Sequence, residues 1–191
     1  MNYLIDGGTH LFQGIKKLNE IYKFDNSWEI YSFEPNPITF ELSEQHKPNL
    51  NTNIIHINGA LSTFDGQTII HCERTDNYTG QGSNILKNPP TKDNNYQLHY
   101  SHYNIKTYNI CNLINNLNNI DKLIIKLDIE GEEFNILPLI IDGCIHKHRI
   151  NTMYIEFHER FFLEEITKYT NNKLLYIDAL KKQNIDVFLW D

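Results

Sequence analysis

The chain has 191 residues, a hydrophobic content of 40% and a formal net charge of -7 at pH 7. That length suits one domain with a full hydrophobic core, over 1–191, and leaves little room for two. The acidic balance disfavours a protein that binds by neutralising phosphates, so nucleic acid is not an expected partner.

The chain enters strand-like sequence at once, without the basic segment and apolar core of a signal peptide. No apolar run approaches the length of a membrane span. The expectation is a cytoplasmic protein with no membrane partner. Cys72, Cys111 and Cys144 are widely spaced and form no CxxC pair, as in a protein with reduced thiols.

Residues 3–14, YLIDGGTHLFQG, read as a short buried strand, an acid, a glycine pair and the start of a helix. Gly7 and Gly8 allow positive φ and close approach of a ligand to the backbone. Asp6 at the strand end can accept hydrogen bonds from that ligand, or equally cap an ordinary turn. Helical spacing of Ile15, Leu18, Ile21 and Tyr22 follows. Residues 28–33, WEIYSF, form a second strand that stops at Glu34-Pro35-Asn36-Pro37. An acid at the end of the second strand of a βαβ unit can bind both hydroxyls of a ribose, which is the role expected of Glu34.

A second helix is expected over 38–44 and a third strand over 53–57, leading into a small-residue turn at Gly59 and Ala60 against which an adenine could lie. Residues 67–72 are strand-like. Residues 73–105 are the least regular stretch, too long for a plain connection, and are expected to be a lid or substrate-side insertion. Tyr96, His99, Tyr100, His102 and Tyr103 near its end read either as substrate contacts or as one face of a half-exposed strand. A short helix is expected over 111–117 and a fourth strand over 123–127, broken only by Lys126. After DIEGEE, a helix over 134–141 should end at Gly143 as a glycine C-cap. A fifth strand over 151–157, helices over 161–168 and 174–183 and a last strand over 185–190 complete an α/β pattern. It implies a doubly wound, mostly parallel sheet with helices on both faces.

Asp128, Glu130, Glu156 and His158 fall at or just past the ends of the fourth and fifth strands. In such a sheet they converge on the crevice that holds Asp6 and Glu34. The acids also fit a helix start favoured by the macrodipole, and a lone histidine is often structural.

Taken together, residues 6–14, FEPNP at 33–37, GALSTFDG at 59–66, KLDIEGEE at 126–133 and YIEFH at 154–158 resemble the FkbM-type S-adenosylmethionine-dependent O-methyltransferases. The resemblance implies a class I, Rossmann-like fold. It also implies a cofactor pocket for S-adenosylmethionine built from Asp6, Gly8, Thr9, His10, Glu34, Pro35, Asn36, Gly59, Ala60 and Asp128. The family methylates hydroxyls, and a sugar or nucleotide-sugar acceptor suits the acids and tyrosines here. His158 or Asp128 is expected as the base, with Glu130 and Glu156 holding acceptor hydroxyls. Asp128, Glu130 and Glu156 could also bind a divalent cation such as Mg2+ and bring a diol to the methyl group.

The sequence departs from the family at His10 and Phe12, where the family commonly has an Asn and, two residues on, a glycine, and it is expected to lack the N-terminal helices that cover substrate in many relatives. The 73–105 stretch or a second subunit of a homodimer would then close the site. Two rival readings are a non-catalytic module that has lost activity and, against the charge, an RNA 2'-O-methyltransferase. A dinucleotide-binding dehydrogenase lacks its G-x-G-x-x-G turn here.

Overall fold

The computed structural model describes residues 1–73, 82–90, 92–93, 96–97, 100–144 and 146–190. The expectation for His99 lies outside the described residues, and Tyr96 is described by its backbone alone.

The strands are β1 (Asn2–Gly7), β2 (Trp28–Phe33), β3 (Asn53–Ile57), β4 (Ala60–Ser62), β5 (Gly66–Glu73), β6 (Lys92–Asp93), β7 (Tyr96–Gln97), β8 (Tyr100–Asn109), β9 (Lys122–Leu127), β10 (Thr152–Ile155) and β11 (Asp186–Leu189). The helices are α1 (Gln13–Tyr22), α2 (Pro37–Ser43), α3 (Ile110–Asn116), α4 (Glu133–Pro138) and α5 (Ile166–Lys182). Six strands form the main sheet in the order β11-β10-β9-β1-β2-β3, and every pairing is parallel. Helices cover both faces of this sheet, a Rossmann-like α/β arrangement.

Both faces are apolar, which is why β1 and β9 read as nearly continuous hydrophobic runs. Ile5, Ile125 and Leu127 pack with Ile114, Ile136 and Leu180 on the α3–α4–α5 face. Leu4, Ile30 and Ile124 pack with Phe12, Ile15 and Leu18 on the α1 face. Each fully buried side chain of this kind contributes on the order of 2 kcal/mol. On α2, Pro37 takes the first helical position and the Asn36 side chain accepts hydrogen bonds from the Ile38 and Thr39 amides.

Four expectations need correction. The segment at Gly59 and Ala60 is not a simple turn: Ala60–Ser62 is strand β4, held extended because Ala60 and Leu61 are buried, and paired with β8 in a three-stranded sheet β4-β8-β5. The irregular stretch ends earlier than expected, since β8 begins at Tyr100 and runs antiparallel to β5. His102 there is exposed while Tyr103 packs on the buried Ile70 and Ile105.

Helix α4 does not end in a glycine cap. Pro138 removes a donor from the ladder and the chain passes into a π turn at Leu139–Gly143, where the Cys144 amide donates to the Leu139 carbonyl at 2.9 Å. The two late helices are one, α5, preceded by 3₁₀ turns at Glu159–Phe161 and Leu163–Glu165. Tyr169 lies inside it, stacked on Phe162 at 3.7 Å and edge-on to Phe134 at 4.8 Å, so packing overrides the weak helical preference of its polar neighbours.

Cys72, Cys111 and Cys144 are buried free thiols. Among the described residues no helix is long and apolar enough to cross a membrane.

Candidate functional site

Strand order reverses at β1: β2 and β3 lie on one side, and the chain then returns to place β9 and β10 on the other. The strand ends splay there, and a cavity of about 570 Å³ opens at the carboxyl ends of β1, β2, β9 and β10.

One end of this cleft is built by the first turn. Gly8 has φ of 76°, and a Cβ on it would stand 1.7 Å from the Asp128 carbonyl oxygen, so only glycine lets β1 and β9 close together. His10 and Phe12, at φ of 49° and 63°, also adopt left-handed backbone. Glycine would be unstrained there; the buried Phe12 ring compensates by filling the α1 core. The turn points amides at Glu34: the His10 and Asn36 N–H groups donate to its two oxygens, each at 2.9 Å. Burial pushes the Glu34 carboxyl up to about 7, against the opposing pull of those two amides.

Beneath the turn runs a polar row set by strand register, His56–Ser32–Asp6–Lys126–Tyr154 across five neighbouring strands. Asp6 accepts from the Thr9 hydroxyl, Thr9 Oγ1 lies 2.7 Å from Ser32 Oγ, and Ser32 Oγ lies 3.0 Å from His56 Nδ1. The Lys126 ammonium stands 3.2 Å from Asp6 and 3.4 Å from Asp128, and donates to the Gly8 carbonyl at 2.9 Å. Burial alone would lower its pKa, but the two carboxylates outweigh that and hold it above its ordinary value. Its stem passes under α1 where Gly14 leaves room: a Cβ there would lie 2.9 Å from Lys126 Cε.

The opposite end is acidic. Asp128, Glu130 and Glu156 line the cleft together with Arg160, whose guanidinium is 3.8 Å from both Glu130 and Glu156. Burial raises the carboxyls of Glu130 and Glu156, and the neighbouring Asp128 raises both further. His158 lies just below, fully buried, with Nδ1 at 3.2 Å from Glu133 and Nε2 facing the acids. Burial opposes its protonation, yet Glu133, Glu130 and Glu156 push its pKa up to about 9.

Of the residues singled out in the sequence, Gly8, Thr9, His10, Glu34, Pro35, Ala60, Tyr100, Asp128, Glu130 and Glu156 line this one cavity. Four of the expected cofactor and catalytic residues do not. Asp6 is ion-paired beneath the turn, Asn36 caps α2, and His158 is sealed behind the acids. Gly59 faces away from the cavity, where a Cβ would meet the Tyr108 ring at 2.5 Å. Sequence reasoning missed Lys126, Arg160 and Trp190 in the wall. Lys126 was legible as a charge inside an apolar strand, a position that demands a buried anion. The segment Gly82, Ser83, Asn84 and Ile85, with Tyr100, also closes the cleft, and the Gly82 amide donates to Glu130 at 3.2 Å.

The parallel sheet, its strand order and a cleft at the switch point with carboxylates at both ends define a Rossmann-like α/β protein. The profile of the methyltransferase FkbM domain matches residues 10–180, and the chain belongs to that methyltransferase family. No curated protein and no solved structure matches it.

Proposed function

We propose that the protein is an S-adenosylmethionine-dependent O-methyltransferase acting on a hydroxyl of a sugar or nucleotide-sugar. The observation that carries this reading is the two-ended cleft, with Glu34 and the Gly8 turn at one end and Asp128, Glu130 and Glu156 at the other.

At the first end, Glu34 keeps acceptor capacity beyond its two amide bonds, which suits the ribose hydroxyls of the cofactor. Ala60 and Leu61 offer an apolar wall nearby for the adenine. The methionine end then extends past Gly8 toward Asp128, and the anionic wall favours a sulfonium.

Methyl transfer forms a bond from the acceptor oxygen to the methyl carbon as the carbon–sulfur bond breaks. The electron pair moves to sulfur, leaving neutral S-adenosylhomocysteine, and the hydroxyl proton passes to a base. Alignment in a water-poor cleft supplies much of the acceleration, with proton removal adding to it. His158 is a poor base: it lies outside the cleft wall and holds its proton at neutral pH. We assign proton acceptance to the cleft carboxylates, foremost Glu156, whose raised pKa suits the task, and a positioning role to His158. Glu130 and Arg160 suit neighbouring hydroxyls of a sugar, with Phe161 and Tyr100 as flat faces for its ring. Gly82 to Ile85, with Tyr100, serve as the substrate-side wall.

The test is transfer of labelled methyl from S-adenosylmethionine to a panel of sugars and nucleotide-sugars. The expected result is methylation of a hydroxyl, with kcat lowered roughly 10²-fold or more in Glu156→Gln. Transfer to amines or thiols with no hydroxyl accepted would overturn the reading.

A further inference from the structure

Behind the acidic end of the cleft, Glu133 is fully buried and accepts three hydrogen bonds. The His158 backbone N–H donates to Oε1 at 2.7 Å, His158 Nδ1 lies 3.2 Å from the same oxygen, and the Gly131 N–H donates to Oε2 at 2.9 Å. Facing a carboxylate, Nδ1 is the nitrogen that carries the proton, and Nε2 is left to face the cleft.

Nε2 is completely buried and, among the described residues, has no hydrogen-bond partner. Oxygens of Glu130, Glu156 and Asp128 nevertheless stand 3.2, 3.4 and 3.8 Å from it. The acids hold a proton on the ring, and a divalent cation set among them would displace it from Nε2 and give that unpartnered nitrogen a ligand bond. A proton on Nε2 meets none of the three in hydrogen-bonding geometry, whereas an ion placed between the donors meets several at once.

We infer that Asp128, Glu156 and His158 form a divalent metal site, their donor atoms lying within 4.8 Å of one another. One imidazole and two carboxylates suit Mn2+, Fe2+ or Mg2+ better than a thiolate-seeking metal. Glu133 completes the pattern in which a carboxylate fixes a ligating histidine through its other nitrogen. The Asp128 and Glu156 side chains are 27% and 28% exposed and line the cavity, so the unfilled coordination positions face the cleft. If the O-methyltransferase reading holds, those positions lie where acceptor hydroxyls would approach. In the metal-bound protein Glu156 then serves as a ligand, and proton acceptance falls to Glu130, which lines the cleft outside the donor set. The metal site itself does not rest on that reading.

The experiment titrates the chelator-stripped protein with Mn2+ alone, by calorimetry and by loss of the free-ion electron paramagnetic resonance signal. The expected result is one ion per chain. Glu156→Gln and Asp128→Asn, near-isosteric changes at partly exposed positions, weaken binding at least about tenfold, and Glu133→Gln weakens it about tenfold through the histidine. Thermal melting confirms that each variant is folded. No binding by the intact protein, or unchanged affinity in folded Glu156→Gln and Asp128→Asn, overturns the site. S-adenosylmethionine titrated without metal reports the cofactor end separately, so either failure leaves the other claim standing.

Discussion

Asp6 and Lys126 are cross-strand neighbours in register on β1 and β9, and their charged groups meet at 3.2 Å with both side chains buried. The pair fastens the first turn to the strand that carries the acidic end. Because the same ammonium donates to the Gly8 carbonyl, the shape of one end of the cleft depends on a residue from the other.

Removing one partner of such a buried pair strands the other charge. Lys126→Met should destabilise the fold by about 3–5 kcal/mol in urea denaturation. Asp6→Asn combined with Lys126→Met should recover part of that loss, since the only carboxylate then left without this ammonium is the partly exposed Asp128. A double variant as unstable as the single would contradict the pairing.

Gly8→Ala forces a Cβ to within 1.7 Å of the Asp128 carbonyl oxygen, an atom of rigid backbone. The expected cost exceeds about 3 kcal/mol, read from the urea midpoint of the purified variant. A variant of normal stability would mean that β1 and β9 can separate at this point.

His10→Gly tests the opposite case. His10 sits at φ of 49°, and its contribution to the Glu34 contact is a backbone amide that glycine retains. Relief of left-handed strain should stabilise the protein by up to about 1 kcal/mol, partly offset by glycine's greater unfolded freedom. Destabilisation by a similar amount would show that the ring matters more than the backbone.

Glu34 should make stability depend on pH. Burial raises its carboxyl from 4.5 to about 7. The folded state then binds this proton more tightly than the unfolded chain does. The stabilising contribution is complete below about pH 4.5 and is lost as pH rises through about 7. Measured against Glu34→Gln, the unfolding free energy of the wild type should fall by up to about 3 kcal/mol across that window. A difference that stays flat with pH would contradict the burial argument.

The main sheet was legible because its strands are short, apolar and punctuated: β2 and β3 match their expected limits, since Trp28–Phe33 ends at a Glu-Pro turn and Asn53–Ile57 at a glycine turn. Both carboxylate clusters were legible too, because strand ends in a parallel sheet share one edge. Register was not. Lys126 reads as an interruption until β9 is set beside β1, and only then is it the partner of Asp6. Burial was equally hidden, as His158 resembles an exposed base in sequence yet lies behind Glu130 and Glu156. Helix α5 reads as two segments in the sequence because its polar middle lacks apolar periodicity, and the contacts that hold Tyr169 there, with Phe134 and Phe162, are visible only once the chain is folded.

The most direct test of the cleft as a cofactor site is calorimetric titration of the intact protein with S-adenosylmethionine and S-adenosylhomocysteine, repeated on Glu34→Ala. The expected result is micromolar binding of both by the intact protein, weakened roughly 10- to 100-fold in the variant, in keeping with loss of charged hydrogen bonds to the ribose. A folded intact protein that binds neither compound would contradict the account.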